Sequence, residues 1–139
     1  MTIHEAAEPS NLQSQPLVGV VGVCASGKSS LIHELTKHGI RTRHIAQEHS
    51  YVKDMWKRIT NPDILVFLDA SYKVTLARRR LNWRENDWEE QQKRLIHARQ
   101  HADVYVNTDE LSVEQVLKLV IEFIDNYPVI PPTQGTEQG

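Results

Sequence analysis

The chain has a single cysteine, Cys24, in 139 residues. That excludes an internal disulfide framework and a zinc cluster built on cysteines, and it fits a reducing compartment. It also lacks an excess of positive charge: 16 Lys+Arg stand against 18 Asp+Glu, for a formal net charge of -2. No global basic field is therefore present to recruit nucleic acid or an anionic membrane surface. No apolar run approaches the ~18 residues of a membrane span. The polar stretch from Met1 to Gln15 has no apolar signal core, so the expectation is a cytoplasmic protein without membrane association. Length leaves room for one domain and one core. With 40% hydrophobic and 24% charged residues, wholesale disorder is excluded and little else is.

What is present is an alternation of strand and helix patterns between two breaker-rich ends. Residues 1–15 and 129–139 read as flexible tails, and 16–128 as the ordered domain. Leu17 to Val23 is a continuous apolar, β-branched run, the pattern of a strand buried on both faces of a parallel sheet. From Lys28, the residues Leu31, Ile32 and Leu35 recur at helical spacing, and Gly39 marks the stop. Arg41 to Ala46 reads as a second strand. Ser50 then opens a short helix with Val52, Met55, Trp56 and Ile59 on one stripe. Ile64 to Asp69 is a third strand, apolar up to its acidic tip. Ser71 starts a helix with Val74, Ala77 and Leu81 inward, and Asn86 and Glu89 form a capping pair for a long helix. Val104 to Val106 is a fourth strand. Ser112 and Gln115 cap a final amphipathic helix striped by Val113, Val116, Leu117, Val120, Ile121 and Ile124. This alternation implies a three-layer α/β/α domain around a parallel sheet of about four strands.

Gly22-Val23-Cys24-Ala25-Ser26-Gly27-Lys28-Ser29, followed by Ser30, fits G-x-x-x-x-G-K-[ST], the P-loop pattern. Gly22 and Gly27 permit torsions and close approach that a Cβ would block, so successive N–H groups can face phosphate oxygens. Lys28 brings a charge for the β- and γ-phosphates, and the Ser29 hydroxyl a hard oxygen for Mg²⁺. The following helix adds its positive end. Chance produces the four fixed positions roughly once in 200 chains of this length, so the strand before and the helix after are the needed context. A glycine-rich turn with an N-capping serine is the competing account, and it leaves Lys28 unexplained. The expected ligands are ATP or another nucleoside triphosphate, with Mg²⁺.

With Pro62-Asp63 leading into Ile64 to Asp69, an arginine-rich helix behind it, and the late Ala102-Asp103-Val104-Tyr105 stretch, the chain resembles the small nucleoside and nucleotide kinases, including the thymidylate, deoxynucleoside and shikimate kinase groups. The resemblance implies a P-loop NTPase-like fold and phosphoryl transfer. In that family an arginine-bearing lid closes over the phosphates; Arg78, Arg79, Arg80 and Arg84 occupy the matching stretch, with Arg80 and Arg84 carried forward as catalytic candidates. A solvated helix face is the competing account for each, and Arg94 and Arg99 read as surface residues. The family places an acidic group after an early strand, and Glu48 matches it as the residue that accepts or orients the acceptor's proton. Asp69 ends its strand as a magnesium-ordering aspartate does and joins Ser29 as a metal candidate.

The stretch between the first helix and Asp69 is far shorter than in thymidylate or adenylate kinases. An acceptor subdomain is missing or reduced to Tyr51 to Ile59, which favours a small, unidentified acceptor or a partner chain, including a second copy, completing the site. Two functions follow: an ATP- and Mg²⁺-dependent kinase of a small molecule, or a non-catalytic or slowly hydrolysing nucleotide-binding module read by a partner protein. His97 and His101, at i and i+4, have no third ligand at zincin spacing and read as surface residues. Trp56 reads as core, Trp83 as the tryptophan to test for ligand contact, and Cys24 as a small buried filler.

Overall fold

Val18–Gly22 forms β1, and all five of its residues are buried, as a strand covered on both faces of a parallel sheet must be. The computed structural model describes residues 15–79 and 82–128. The expected tails, apart from Gln15, and the roles expected of Arg80 and Leu81 lie outside the described residues. The other strands are β2 (Thr42–His44), β3 (Ile64–Asp69) and β4 (Val104–Asn107). They pair in the order β2-β1-β3-β4, and every pairing is parallel. The helices are α1 (Lys28–Lys37), α2 (Tyr72–Arg79), α3 (Glu85–Arg94), α4 (Ile96–His101) and α5 (Val113–Asp125). Among the described residues no helix is long and apolar enough to cross a membrane.

The twofold period of the strands sorts the core into two clusters. Val18, Val20, Ile64, Val66 and Leu68 meet Leu31 and Leu35 of α1 and Val116 and Val120 of α5. Val21, Leu65 and Phe67 point to the other face and meet Trp56, Leu95 and Ala98. Helices therefore cover both faces, which makes three layers. Each fully buried Leu, Ile or Phe in these clusters contributes about 1.5–3 kcal/mol, so the two central strands carry most of the burial. The edges are different in character. β2 is only three residues long and half-buried to exposed, and Tyr105 of β4 is likewise exposed, which blunts both edges against further pairing.

Four local expectations change on folding. The second strand is shorter than residues 41–46, although Ile45 still donates its N–H to the Val20 carbonyl at 3.1 Å. The stripe expected after Ser50 breaks up: Trp56 is buried, but Val52 and Ile59 are 48% and 76% exposed. Trp56–Thr60 winds as a π-helical turn, closed by Asn61 N–H to the Trp56 carbonyl at 3.0 Å, and its wider winding carries Ile59 off the stripe. In α2 the residue packed inward is Thr75, with Val74 half-buried and Ala77 exposed. Thr75 tolerates burial because its hydroxyl donates to the Tyr72 carbonyl at 2.7 Å. The single long helix becomes two, interrupted at Leu95, and starts before Asn86, with the Asp87 carboxylate accepting from the Arg84 N–H at 3.0 Å. The expected Asn86/Glu89 pair thus lies inside α3 and caps nothing. The Ser112/Gln115 box of α5 forms in full, with bonds of 2.8 and 3.2 Å.

Candidate functional site

The loop from Gly22 to Ser29 runs from the end of β1 into α1, at the C-terminal edge of the sheet. Gly22 has φ +155°, and a Cβ placed on it would stand 2.2 Å from the Leu68 carbonyl oxygen. Only a glycine lets β1 lie this close to β3 at the point where the chain turns. Gly27 takes φ 108° at the start of α1, and no side chain caps that helix. The first N–H groups of α1 therefore have no intrahelical acceptor and carry the positive end of the helix dipole. Beneath them, Ser26 is fully buried with no hydrogen-bond partner on its Oγ.

Lys28 folds back under this loop. Its Nζ donates to the carbonyls of Gly22 at 2.8 Å and Val23 at 3.0 Å. It also pairs with Glu48 Oε2 at 3.1 Å, both side chains being buried. Glu48 belongs to a short 3-10 turn, Gln47–His49, which is fixed from two directions. Gln47 is fully buried and holds the Val52 carbonyl and the Trp56 N–H at 2.8 Å each. Arg94 of α3 donates to the Glu48 carbonyl at 3.2 Å. Two residues twenty positions apart in sequence are thus brought into contact, while Glu48 Oε1 is buried without a hydrogen-bond partner. Cys24, half-buried rather than buried, is clamped by Gln91: its N–H donates to Gln91 Oε1 at 2.9 Å, and Gln91 Nε2 donates to its Sγ at 3.2 Å.

A second set of contacts ties the loop to the far side of the sheet. Thr108, just beyond β4, donates its hydroxyl to the Ser26 carbonyl at 2.8 Å and its N–H to the Asp69 carbonyl at 2.8 Å. Arg78 of α2 donates to Thr108 Oγ1 at 2.9 Å, to the Thr108 carbonyl, and to the Ala25 carbonyl at 3.1 Å. A cavity of about 480 Å³ opens over the loop, lined among others by Lys28, Ser29, Glu48, His49, Arg78 and Arg79. A second of about 290 Å³ adjoins it through Gly27 and Arg78, with Leu68, Leu111, Val113 and Val116 on its apolar side. The larger space combines fixed cations, hydroxyls and a helix N-terminus, an environment that accepts a multiply charged anion.

Of the residues singled out from the sequence, Gly22 to Ser30 and Glu48 come together here. Arg84 does not join them: it is exposed at the start of α3, and its N–H is bound to Asp87. Asp69 is buried and lines a different cavity from Ser29. Its Oδ1 accepts from the Ala70 N–H at 2.9 Å and Gln92 at 2.8 Å; its Oδ2 accepts from Arg99 at 3.0 Å and Tyr105 at 2.6 Å. Burial, and then the Asp69 carboxylate, push the Tyr105 hydroxyl above its ordinary pKa of 10.0. Arg94, 19% exposed, is tied to the Glu48 carbonyl and departs from its reading as a surface residue, whereas Arg99, 49% exposed, lies at the surface as expected while it holds Asp69. Sequence reasoning missed Gln91 and Thr108, which carry no motif, and passed over Arg78 in favour of its neighbours. Only the side of α2 that faces the loop distinguishes Arg78. Compared with known proteins, the chain matches no family model and no curated protein.

His97 and His101 are also engaged, with rings stacked at 4.3 Å. Trp56 Nε1–H donates to His97 Nδ1 at 3.1 Å, so that nitrogen carries no proton. Burial, and then the neighbouring His101, hold His97 below its ordinary value of 6.5. The unfolded chain therefore takes up this proton more readily than the folded one. The stabilising contribution is complete above 6.5 and is lost as pH falls through that value to the folded pKa. Urea midpoints should fall on acidification through this window, and His97→Gln, which keeps an acceptor for Trp56, should flatten the fall. An undiminished fall in the variant would remove His97 as its source.

Proposed function

We propose that Gly22 to Ser29 is a P-loop in a P-loop NTPase-like domain, and that the chain transfers a phosphoryl group from Mg²⁺·ATP, or another nucleoside triphosphate, to a small acceptor. The observation that carries this reading is the meeting of Lys28 and Glu48 on the floor of the cavity, below the uncapped start of α1. An ammonium that already coordinates two loop carbonyls is held where β- and γ-phosphate oxygens would enter, with little ordering left to do on binding. Ser29 lies exposed at the cavity and offers the hydroxyl for the metal. Bound Mg²⁺ would supply neutralisation of the phosphate oxygens.

The remaining roles belong to the chain's own groups. The α1 N–H groups and Lys28 bind and orient the triphosphate. Arg78 and Arg79, which line the same cavity, offset the charge spread over the transferring group. Glu48 Oε1 is free of hydrogen bonds and takes the proton of an acceptor hydroxyl, while Oε2 stays against Lys28. The adjoining apolar cavity beside Leu111 and Val113 suits the base. Asp69, with both oxygens occupied, serves in this reading as an anchor for β4, α3 and α4 and leaves the metal to Ser29.

A second reading, a nucleotide-binding module read by a partner, draws on one observation. Tyr51 and Ile59, where an acceptor region would stand, are 85% and 76% exposed and offer a surface in place of an enclosure. The discriminating experiment measures ATP consumption with Mg²⁺ while nucleosides, nucleotides and hydroxy acids are added singly. Acceptor-dependent turnover is expected, and Glu48→Gln should lower it on the order of 100-fold while ATP still binds. No stimulation by any acceptor would transfer the assignment to the module. Unchanged turnover in Glu48→Gln would end its role in proton transfer.

A further inference from the structure

We propose that Cys24, Glu48 and His49 together form a binding site for a thiophilic divalent transition ion, Zn²⁺ being the natural occupant. The inference stands on side-chain geometry and does not depend on the nucleotide reading.

One ligand atom from each of the three residues lies within 4.8 Å of the other two. Cys24 Sγ is 3.9 Å from His49 Nε2, and His49 Nε2 is 3.7 Å from Glu48 Oε2. Tetrahedral zinc, with Zn–S about 2.3 Å and Zn–N or Zn–O about 2.0–2.1 Å, holds such atoms about 3.3–3.6 Å apart. These two separations need only a few tenths of an ångström of adjustment, and the Cys24–Glu48 pair, within 4.8 Å, closes by at most about 1.3 Å through side-chain rotation. The independent observation is Glu48 Oε1, an acceptor on a side chain only 3% exposed and without any hydrogen-bond partner. A buried, unsatisfied carboxylate oxygen is costly, and a cation held by the Glu48 carboxylate beside the thiol and the imidazole removes that cost.

The surroundings hold the set in place. Gln91 fixes Cys24 through both its N–H and its sulfur, the kind of outer contact that orients a ligand. Lys28 stands 3.1 Å from Oε2 and opposes a second positive charge, but its ammonium is shared with the Gly22 and Val23 carbonyls. His49, 59% exposed, gives an ion a route in from the cavity and leaves a fourth position for water. Thiol, imidazole and carboxylate together select Zn²⁺ or Co²⁺ over Mg²⁺ and Ca²⁺, which prefer all-oxygen shells. Binding displaces the thiol proton to solvent and involves no redox change. Occupancy also withdraws Glu48 from other work.

The test titrates the metal-free full chain with Co²⁺ alone. Because Cys24 is the only cysteine in the sequence, a thiolate-to-cobalt charge-transfer band reports this site and no other histidine cluster. One Co²⁺ per chain, with a band that equimolar Zn²⁺ abolishes, is expected. Cys24→Ser should lose the band, and His49→Gln, an exposed substitution that leaves the core intact, should weaken Co²⁺ binding at least about tenfold. No band at saturating Co²⁺, one ion shared by two chains, or a band indifferent to His49→Gln would overturn the proposal. Should Cys24→Ser fail to fold by circular dichroism, the His49→Gln arm decides alone.

Discussion

Lys28→Met is expected to destabilise the protein by about 3–5 kcal/mol, because it strands the Glu48 carboxylate in a site from which water is almost excluded. The opposite truncation should be milder. In Glu48→Gln the ammonium keeps the carbonyls of Gly22 and Val23, and the new amide still offers an oxygen, so about 1–2 kcal/mol is expected. The double variant Lys28→Met/Glu48→Gln should recover most of the stability lost in Lys28→Met, since no buried charge then remains without a partner. Urea unfolding followed by circular dichroism measures all three. Equal losses for the two single variants would mean that the pair, and not the stranded carboxylate, dominates. The same series isolates function from folding: under the proposed reading, the refolded double variant still fails to bind ATP. Full ATP affinity in it would remove the premise of a P-loop.

Gly22→Ala should be the most damaging change of a single methyl group, costing upwards of about 4 kcal/mol or preventing folding. The added Cβ would meet the Leu68 carbonyl oxygen at 2.2 Å and Ser26 Oγ at 2.7 Å. Gly22 pairs with Leu68 in the β1–β3 ladder, so neither side can give way without separating the two central strands. Gly39→Ala is the control. Gly39 also has a positive φ, +78°, but nothing lies within 4 Å of its added Cβ, leaving only the backbone term of about 1–2 kcal/mol. Thermal melts of the two variants should differ widely. Coincident melts would mean that the loop and β3 separate more easily than their packing implies.

The two series concern one structural unit. The residues that turn the chain at Gly22, fill its underside with Lys28 and close it against Glu48 are bonded to each other before any ligand arrives. Thr108 and Arg78 then fasten the loop's outer side to the end of β4. The loop's carbonyls at Gly22, Val23, Ala25 and Ser26 are occupied, while the N–H groups at the start of α1 have no intrahelical acceptor.

Much of this was legible in the amino-acid order because it is local. Continuous β-branched runs dictate strands covered on both faces, so β1 and β3 were readable, as were the Gly22 to Ser29 loop, α1 and the self-contained Ser112/Gln115 cap. Glu48 was reached through resemblance, and its pairing with Lys28 was not visible in the pattern. Periodicity failed where another force decided the winding. Trp56–Thr60 adopts π-type bonding that rotates Ile59 into solvent, and Thr75 is buried by satisfying its own hydroxyl, which hydropathy cannot register.

The sequence by itself determined the central strands β1 and β3, the helices α1 and α5, where the chain makes its glycine turn, and that one lysine follows that turn. Those outcomes depend on torsional preference and on apolar spacing within a few residues. Only the tertiary structure decided that Glu48 closes on Lys28, that Arg78 and not Arg84 reaches the loop, that four donors occupy Asp69, and that Cys24, Glu48 and His49 converge. Each of these joins groups on separate elements. Their distances follow from how the strands order as β2-β1-β3-β4 and how the helices settle on the two faces, a free-energy balance summed over the whole core that no local pattern encodes.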